Sequence, residues 1–311
     1  MGLSRFIGSP YVFELFLNRI QEDDPRPVSM TLEVNRLVNL YPKAVALTIA
    51  GSDCSGGAGL QADLKTFQQL GVYGMSAITL VTVQNTVGVQ SIFSLDPKLV
   101  IAQIDACISD IPPTAAKIGA LGTAAMVDEI ADRASSFEFP LVVDPVIVSK
   151  HGNLLLDEDA IELIRTKLLK NAFLVTPNRF EAEKLVGMQL DNPDMVAKAI
   201  HDLHLLGAEN VLLKLGEVDG DSIHILGNKE QNIAISVPRL KTKNTHGTGC
   251  ALSAAITAKL ARGDSLTDAC NFAVGAIWQA INAGHPHGSG FHPIEFALIA
   301  AEDRINKAIL K

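Results

Sequence analysis

Aromatic residues are scarce in this chain, 5% of 311 residues with one Trp and three Tyr, and charged residues make up only 19%. The apolar mass, 48% of the chain, is therefore aliphatic and alanine-based, and with 24 Gly this is the make-up of layered α/β proteins rather than aromatic-rich β-sandwiches. Four cysteines carry neither a CxxC pair nor zinc-type spacing, which excludes a disulfide scaffold or zinc module and fits a reducing, cytoplasmic setting. No uncharged apolar run reaches the roughly 18 residues of a membrane span. The start lacks the basic region, apolar core and cleavage site of a secretory signal, so no targeting and no membrane association are expected. Positive charge is also in deficit: 26 Lys and Arg against 34 Asp and Glu leave a net charge of −8, which argues against a nucleic-acid partner. The mean hydropathy of +0.24 is enough for a sizeable core.

Two regions are predicted, an extension over residues 1–43 and a single domain over 44–311. In the extension, Phe13, Phe16, Leu17 and Ile20 fall at helical spacing before an acidic, proline-bearing stretch, Glu22 to Pro27. The extension is either a packed helical appendage or poorly ordered. From residue 44 onward short apolar runs alternate with amphipathic stretches of helical length, the pattern of a doubly wound, mostly parallel sheet flanked by helices. Strands are expected at 44–50, 77–83, 115–118, 141–144, 173–176 and 211–214. Helices are expected between them at 61–70, 98–109, 124–135, 158–169 and 195–205. Two alternating runs, 222–226 and 232–237, joined at Gly227-Asn228, read as a short β-hairpin at the sheet edge. Two Ala-rich helices near 249–261 and 266–283 follow.

Ligands of open parallel sheets bind beyond the carboxyl ends of the strands, and four such places carry polar or glycine-rich residues. Gly51 to Gly59 is a glycine-rich loop open to two readings, a close backbone approach to a ligand or a tight turn glycine serves sterically. Asn244-Thr245-His246-Gly247-Thr248-Gly249-Cys250 leads small residues into a helix N-terminus, where unpaired N–H groups and the helix dipole favour an anion. Cys250 in that first turn is either a small core residue or a thiol whose pKa the helix pushes down. Asn178 and Glu181 sit three apart at a helix start, a spacing suited to a hydrated Mg²⁺ or to an ordinary helix entry. Asp144 places a carboxylate at the end of a strand, before a proline.

In this order, the stretches Ala46 to Asp53, Ser55 to Phe67, Gln84-Asn85-Thr86 and Lys243 to Cys250 resemble the ribokinase-like small-molecule kinases, specifically the hydroxymethylpyrimidine/phosphomethylpyrimidine kinases of thiamine biosynthesis. The resemblance spans about residues 44–295. It implies that ATP phosphorylates 4-amino-5-hydroxymethyl-2-methylpyrimidine and then its monophosphate. It implies Cys250 as catalytic base, with Gly247, Thr248 and Gly249 forming the anion hole. Gly51, Asp63, Gln84 and Asp144 would meet the substrate, and Asn178, Glu181 and Lys214 the nucleotide. Asp144 and Glu181 would orient Mg²⁺, residues 149–153 would form a closing flap, and a homodimer is expected. Leu215-Gly216-Glu217 stands where the family usually has two glycines after the lysine, and Ala120 where it often has Met. His285, His287 and His292 invite a metal reading, but the resemblance points to a loop beside the nucleotide. The competing readings are a pyridoxal kinase of the same fold, disfavoured by Gln84-Asn85-Thr86, and a ligand-binding relative that has lost turnover.

Overall fold

The computed structural model describes residues 44–149, 152, 154–228 and 230–300. The predicted extension over 1–43 lies outside them. Among the described residues, nine strands form one sheet in the order β3-β2-β1-β4-β5-β6-β7-β8-β9. They are β1 (Val45–Asp53), β2 (Tyr73–Gln84), β3 (Val89–Ser94), β4 (Ala115–Ile118), β5 (Leu141–Val143), β6 (Leu174–Val175), β7 (Asn210–Val218), β8 (Asp221–Gly227) and β9 (Asn232–Pro238). The run from β2 to β7 is parallel, while β3, β8 and β9 pair antiparallel at the two ends. Strands β4, β5 and β6 are buried at every position, as expected where both faces are covered, and their brevity suits continuous apolar runs.

Helices cover both faces. On one side lie α1 (Gly59–Gln69), α7 (Thr248–Ala261) and α8 (Leu266–Asn282), whose Ala62, Phe67, Ala255 and Ala273 share a core with Ala46, Val142 and Leu212 of the sheet. On the other lie α2 (Pro97–Asp110), α3 (Ala124–Ala134), α4 (Glu158–Leu163), α5 (Arg179–Val186) and α6 (Pro193–Leu205), packed through Ile104, Ile130, Ala160, Ala182 and Ala199 on Leu47, Ile49, Val143 and Leu213. The first strand of the described residues, β1, lies mid-sheet; the chain then runs outward to β2 and returns to place β4 on the other side of β1. That reversal opens a crevice at the carboxyl ends of β1 and β4.

Three expectations need correction. Strand β3 was not expected; its residues are almost all exposed, so the edge strand carries no buried run to announce it. The helix expected over 158–169 is α only to Leu163 and continues as a π turn over Ile164–Leu168. Strand β7 runs past Lys214 to Val218 through an irregularity, Asp219 and Gly220 turn with positive φ, and β7, β8 and β9 form a three-stranded antiparallel end rather than a lone hairpin.

Candidate active site

Side chains cap most of the longer helices: Asp96, Thr123, Asn178, Asn192 and Ser265 each accept from a backbone N–H of the first turn. Helices α1 and α7 differ. Their N-caps are Ala58 and Gly247, neither with a side-chain cap, so first-turn N–H groups are left for something else. Both termini border one cavity of about 650 Å³ at the carboxyl end of the sheet. Its lining includes Gly51, Gln84, Lys117, Asp144, Asn178, Glu181, Lys214 and the Gly247–Cys250 turn, so ten of the eleven sequence-derived site residues meet there.

The two glycine loops pack backbone to backbone. Gly247 has φ +81°, and a Cβ there would sit 1.8 Å from the Gly57 carbonyl oxygen; one on Gly57 would sit 2.3 Å from the His246 ring. Glycine is thus required on both sides. A buried pair locks the contact: His246 Nε2 lies 2.8 Å from Asp53 Oδ2, and Asp53 also accepts from Ser55 N, Ser55 Oγ and Ala58 N. Burial works against the Asp53 carboxylate, but His246 and Ser55 together hold its pKa at about 2. The sequence reading assigned neither Asp53 nor His246 a role, although both sit inside the two glycine loops it singled out.

Asp63 is the exception among the expected site residues. It is wholly buried and lies behind the cavity wall, with Thr48 Oγ donating to Oδ2 at 2.6 Å and Lys117 Nζ to Oδ1 at 2.6 Å. Thr48 and Lys117 are direct neighbours across β1 and β4, so α1 meets both from one face. Burial pushes the Asp63 carboxyl up while Lys117 and Thr48 pull it down. Burial likewise opposes the Lys117 ammonium, but Asp63, Cys250 and Asp144 keep its pKa above the usual lysine value. A carboxylate this deep survives only when paired; Lys117, not Asp63, is the group that reaches the cavity. Of this stretch the sequence singles out only Ala120, and Lys117, at the end of a short strand, carries no motif of its own to mark it as a site cation.

A second lysine organises the neighbouring carboxylate, Asp144. Lys214 Nζ donates to Asp144 Oδ1 at 3.0 Å, Thr176 Oγ to the same oxygen at 3.2 Å, and Ser253 Oγ to Oδ2 at 3.3 Å. Burial would raise the Asp144 pKa, but Lys214 and Lys117 outweigh it and hold it low. Asn178 and Glu181 are not a free oxygen pair: they form a reciprocal capping box, Asn178 Oδ1 accepting from Glu181 N and Glu181 Oε2 from Asn178 N. Burial, reinforced by Asp144 and opposed by Lys214, lifts Glu181 to about 7.

Of the two readings open for Cys250, the acidified thiol does not hold. Burial dominates over the helix terminus, and with Asp63 and Asp144 nearby its pKa rises to about 11 despite Lys117 and an N–H from Gly59. The thiol is protonated at neutral pH. Gln84, at the end of β2, lines the cavity with a carboxamide that bonds no other described residue, while its backbone oxygen accepts from Cys54 Sγ at 3.1 Å. Of the expected flap, Ser149 and Gly152 are described, joined by a 2.9 Å backbone bond beneath the Val148–Leu154 bridge, while 150, 151 and 153 lie outside the described residues. The three clustered histidines form no metal group among the described residues: His292 Nδ1 bonds the His287 carbonyl.

The family described as phosphomethylpyrimidine kinase matches residues 53–295. A bifunctional thiamine biosynthesis protein of Geobacter sulfurreducens is 42% identical over 284 residues, 90% of this chain; the chain spans 58% of that longer protein. A hydroxymethylpyrimidine/phosphomethylpyrimidine kinase of Bacillus subtilis is 41% identical over 251 residues, covering 80% of this chain and 93% of its own. Among solved structures, an ADP complex of Bacillus subtilis pyridoxal kinase superposes with a TM-score of 0.77 at 35% identity, covering 83% of this chain and 99% of that one.

Proposed function

The chain belongs to the phosphomethylpyrimidine kinase family, and we infer from that premise and its site that it transfers phosphate from ATP to the hydroxymethyl group of 4-amino-5-hydroxymethyl-2-methylpyrimidine, then to the monophosphate, in thiamine biosynthesis. The observation that carries the reading is the cavity itself, where two uncapped helix N-termini and the lysines 117 and 214 converge opposite the unbonded Gln84 carboxamide. Donors and cations at one end suit a transferring phosphoryl group. A carboxamide that donates and accepts side by side suits an aminopyrimidine edge at the other.

Gly51 and Gln84 would hold the ring, with Asp63 acting through Lys117. The Gly247, Thr248 and Gly249 N–H groups would meet the phosphoryl oxygens as the acceptor oxygen bonds to the γ-phosphorus and ADP leaves. Cys250 would receive the hydroxyl proton. In a loose transition state that proton is shed late, so a small thiolate fraction is enough. Asp144 and Glu181, two buried carboxylates beside one another with Lys214 between, fit a Mg²⁺ held through water, and such an ion would neutralise charge on the phosphates. Asn178 would position Glu181 through the capping box. Residues 149–153 would close over the site and exclude water.

The pyridoxal kinase reading draws on the solved structure of that activity and serves as the control. Phosphorus NMR of hydroxymethylpyrimidine with ATP and Mg²⁺ is expected to show the monophosphate, then the diphosphate; release of inorganic phosphate alone would overturn the reading. A homodimer is proposed through the β2–β3 edge, where Tyr73, Val83, Val87 and Phe93 are exposed apolar residues. No described helix is long and apolar enough to cross a membrane. All four cysteines are free, which supports a cytoplasmic location; recovery in the membrane fraction of lysed cells would count against it.

A further inference from the structure

Strand β8 carries a polar feature that the transfer step does not use. Its residues alternate: Ile225 packs against the sheet core, while Ser222 and His224 line the cavity. His224 stands directly across from Lys214 in the antiparallel β7–β8 pair, so the imidazole and the ammonium share one face. Ser222 stands across from Val237 of β9, and beyond it the lining continues with Pro238, Leu240 and Trp278, and with Arg239, whose Nε lies 3.5 Å from Glu217. His224 therefore sits between Lys214 and this largely apolar wall. Next to it, Gly216, in positive φ, has nothing within 4 Å of where a Cβ would stand, leaving this flank of β7 open.

His224 Nδ1 is buried with no hydrogen-bond partner among the described residues, a cost that native interiors seldom carry, which leaves Nε2 as the ring nitrogen that can meet a ligand in the cavity. Burial, helped by Lys214, holds the ring's pKa near 4, so it is neutral and offers one donor and one acceptor. An imidazole placed merely to fill space would be replaced by an apolar side chain at no loss.

We propose that His224 is a nucleotide-binding residue, its ring hydrogen-bonding a diphosphate oxygen of the nucleotide whose base lies against the Trp278 wall and whose terminal phosphates face Lys214. The assignment rests on the kinase reading. It concerns nucleotide affinity rather than the acceptor or the transfer step.

Calorimetric titration of the whole protein with Mg·ADP and with adenosine tests it, using H224F, which keeps a flat ring without nitrogen, and H224N, which keeps a donor and an acceptor. H224F is expected to weaken Mg·ADP about tenfold, the effect of one hydrogen bond to a charged group. Adenosine binding and the unliganded Tm should stay at the wild-type level, and H224N should recover most of the affinity. In turnover the KM for ATP should rise about tenfold with the KM for the acceptor unchanged. Equal Mg·ADP affinity in wild type and H224F would overturn the assignment, as would a parallel loss of ADP, adenosine and Tm. Failure of the wild type itself to bind Mg·ADP would instead contradict the kinase reading, and this assignment with it.

Discussion

At the scale of single residues, burial decides what each functional group can do. Cys250 sits in a helix first turn, where a thiol is ordinarily acidified, yet desolvation carries its pKa to about 11. If its thiolate accepts the acceptor's proton, log kcat should climb with pH through 8 to 10. C250A should flatten that climb and lower turnover about a hundredfold at pH 8, within the usual range for general base catalysis; near wild-type turnover would remove Cys250 from the role. Glu181 gives a stability counterpart. The folded protein holds a proton at Glu181 up to about pH 7 that the unfolded chain releases near 4.5. Stability must therefore fall as pH rises through that window. Gln at this position can still close the capping box, so E181Q should match the wild type near pH 4.5 and exceed it by roughly 2–3 kcal/mol above pH 7. Urea unfolding at pH 5 and pH 8 measures the difference. Residue identities at the site were legible in the sequence, but their charge states were not, because burial and partners belong to the fold. Asp63 shows why: in sequence it reads as a pocket carboxylate, and only the register of Thr48 against Lys117 turns it inward.

At the scale of elements, the site is made by what two helices lack. Helices α1 and α7 begin without side-chain caps at loops that touch through glycine, and the Asp53–His246 pair ties those loops together. Replacing Gly247 with Ala introduces both an unfavourable φ and an overlap with the Gly57 carbonyl. G247A should lose roughly 2 kcal/mol or more of stability and nearly all phosphoryl transfer, read by thermal unfolding and a coupled ADP assay. An alanine variant with wild-type Tm and turnover would show the loop contact to be dispensable. Strand and helix alternation located most elements because parallel strands are apolar throughout and the helices have one apolar face. Strand β3 escaped because exposed edge residues carry no such signal. The π turn after α4 escaped because one inserted residue barely disturbs helical periodicity.

At the scale of the whole molecule, placing the first described strand mid-sheet and reversing direction between β1 and β4 puts the uncapped termini of α1 and α7, Lys117, Lys214 and Gln84 at one end of the sheet. In a chain of net charge −8, Lys117 and Lys214 set two ammonium groups at the cavity, beside the carboxylates that hold them. The exposed apolar side chains along β2 and β3 lie at an unpaired edge. Sedimentation analysis should give about twice the 33.2 kDa chain mass, and V87D with F93D should shift it to a monomer; a wild-type monomer at micromolar concentration would contradict the dimer. The most direct measurement of the central claim compares kcat/KM for hydroxymethylpyrimidine, its monophosphate and pyridoxal with ATP and Mg²⁺ under one set of conditions. The account predicts that both pyrimidines are turned over at least tenfold more efficiently than pyridoxal. Preference for pyridoxal would contradict it and show that Gln84 does not decide the acceptor.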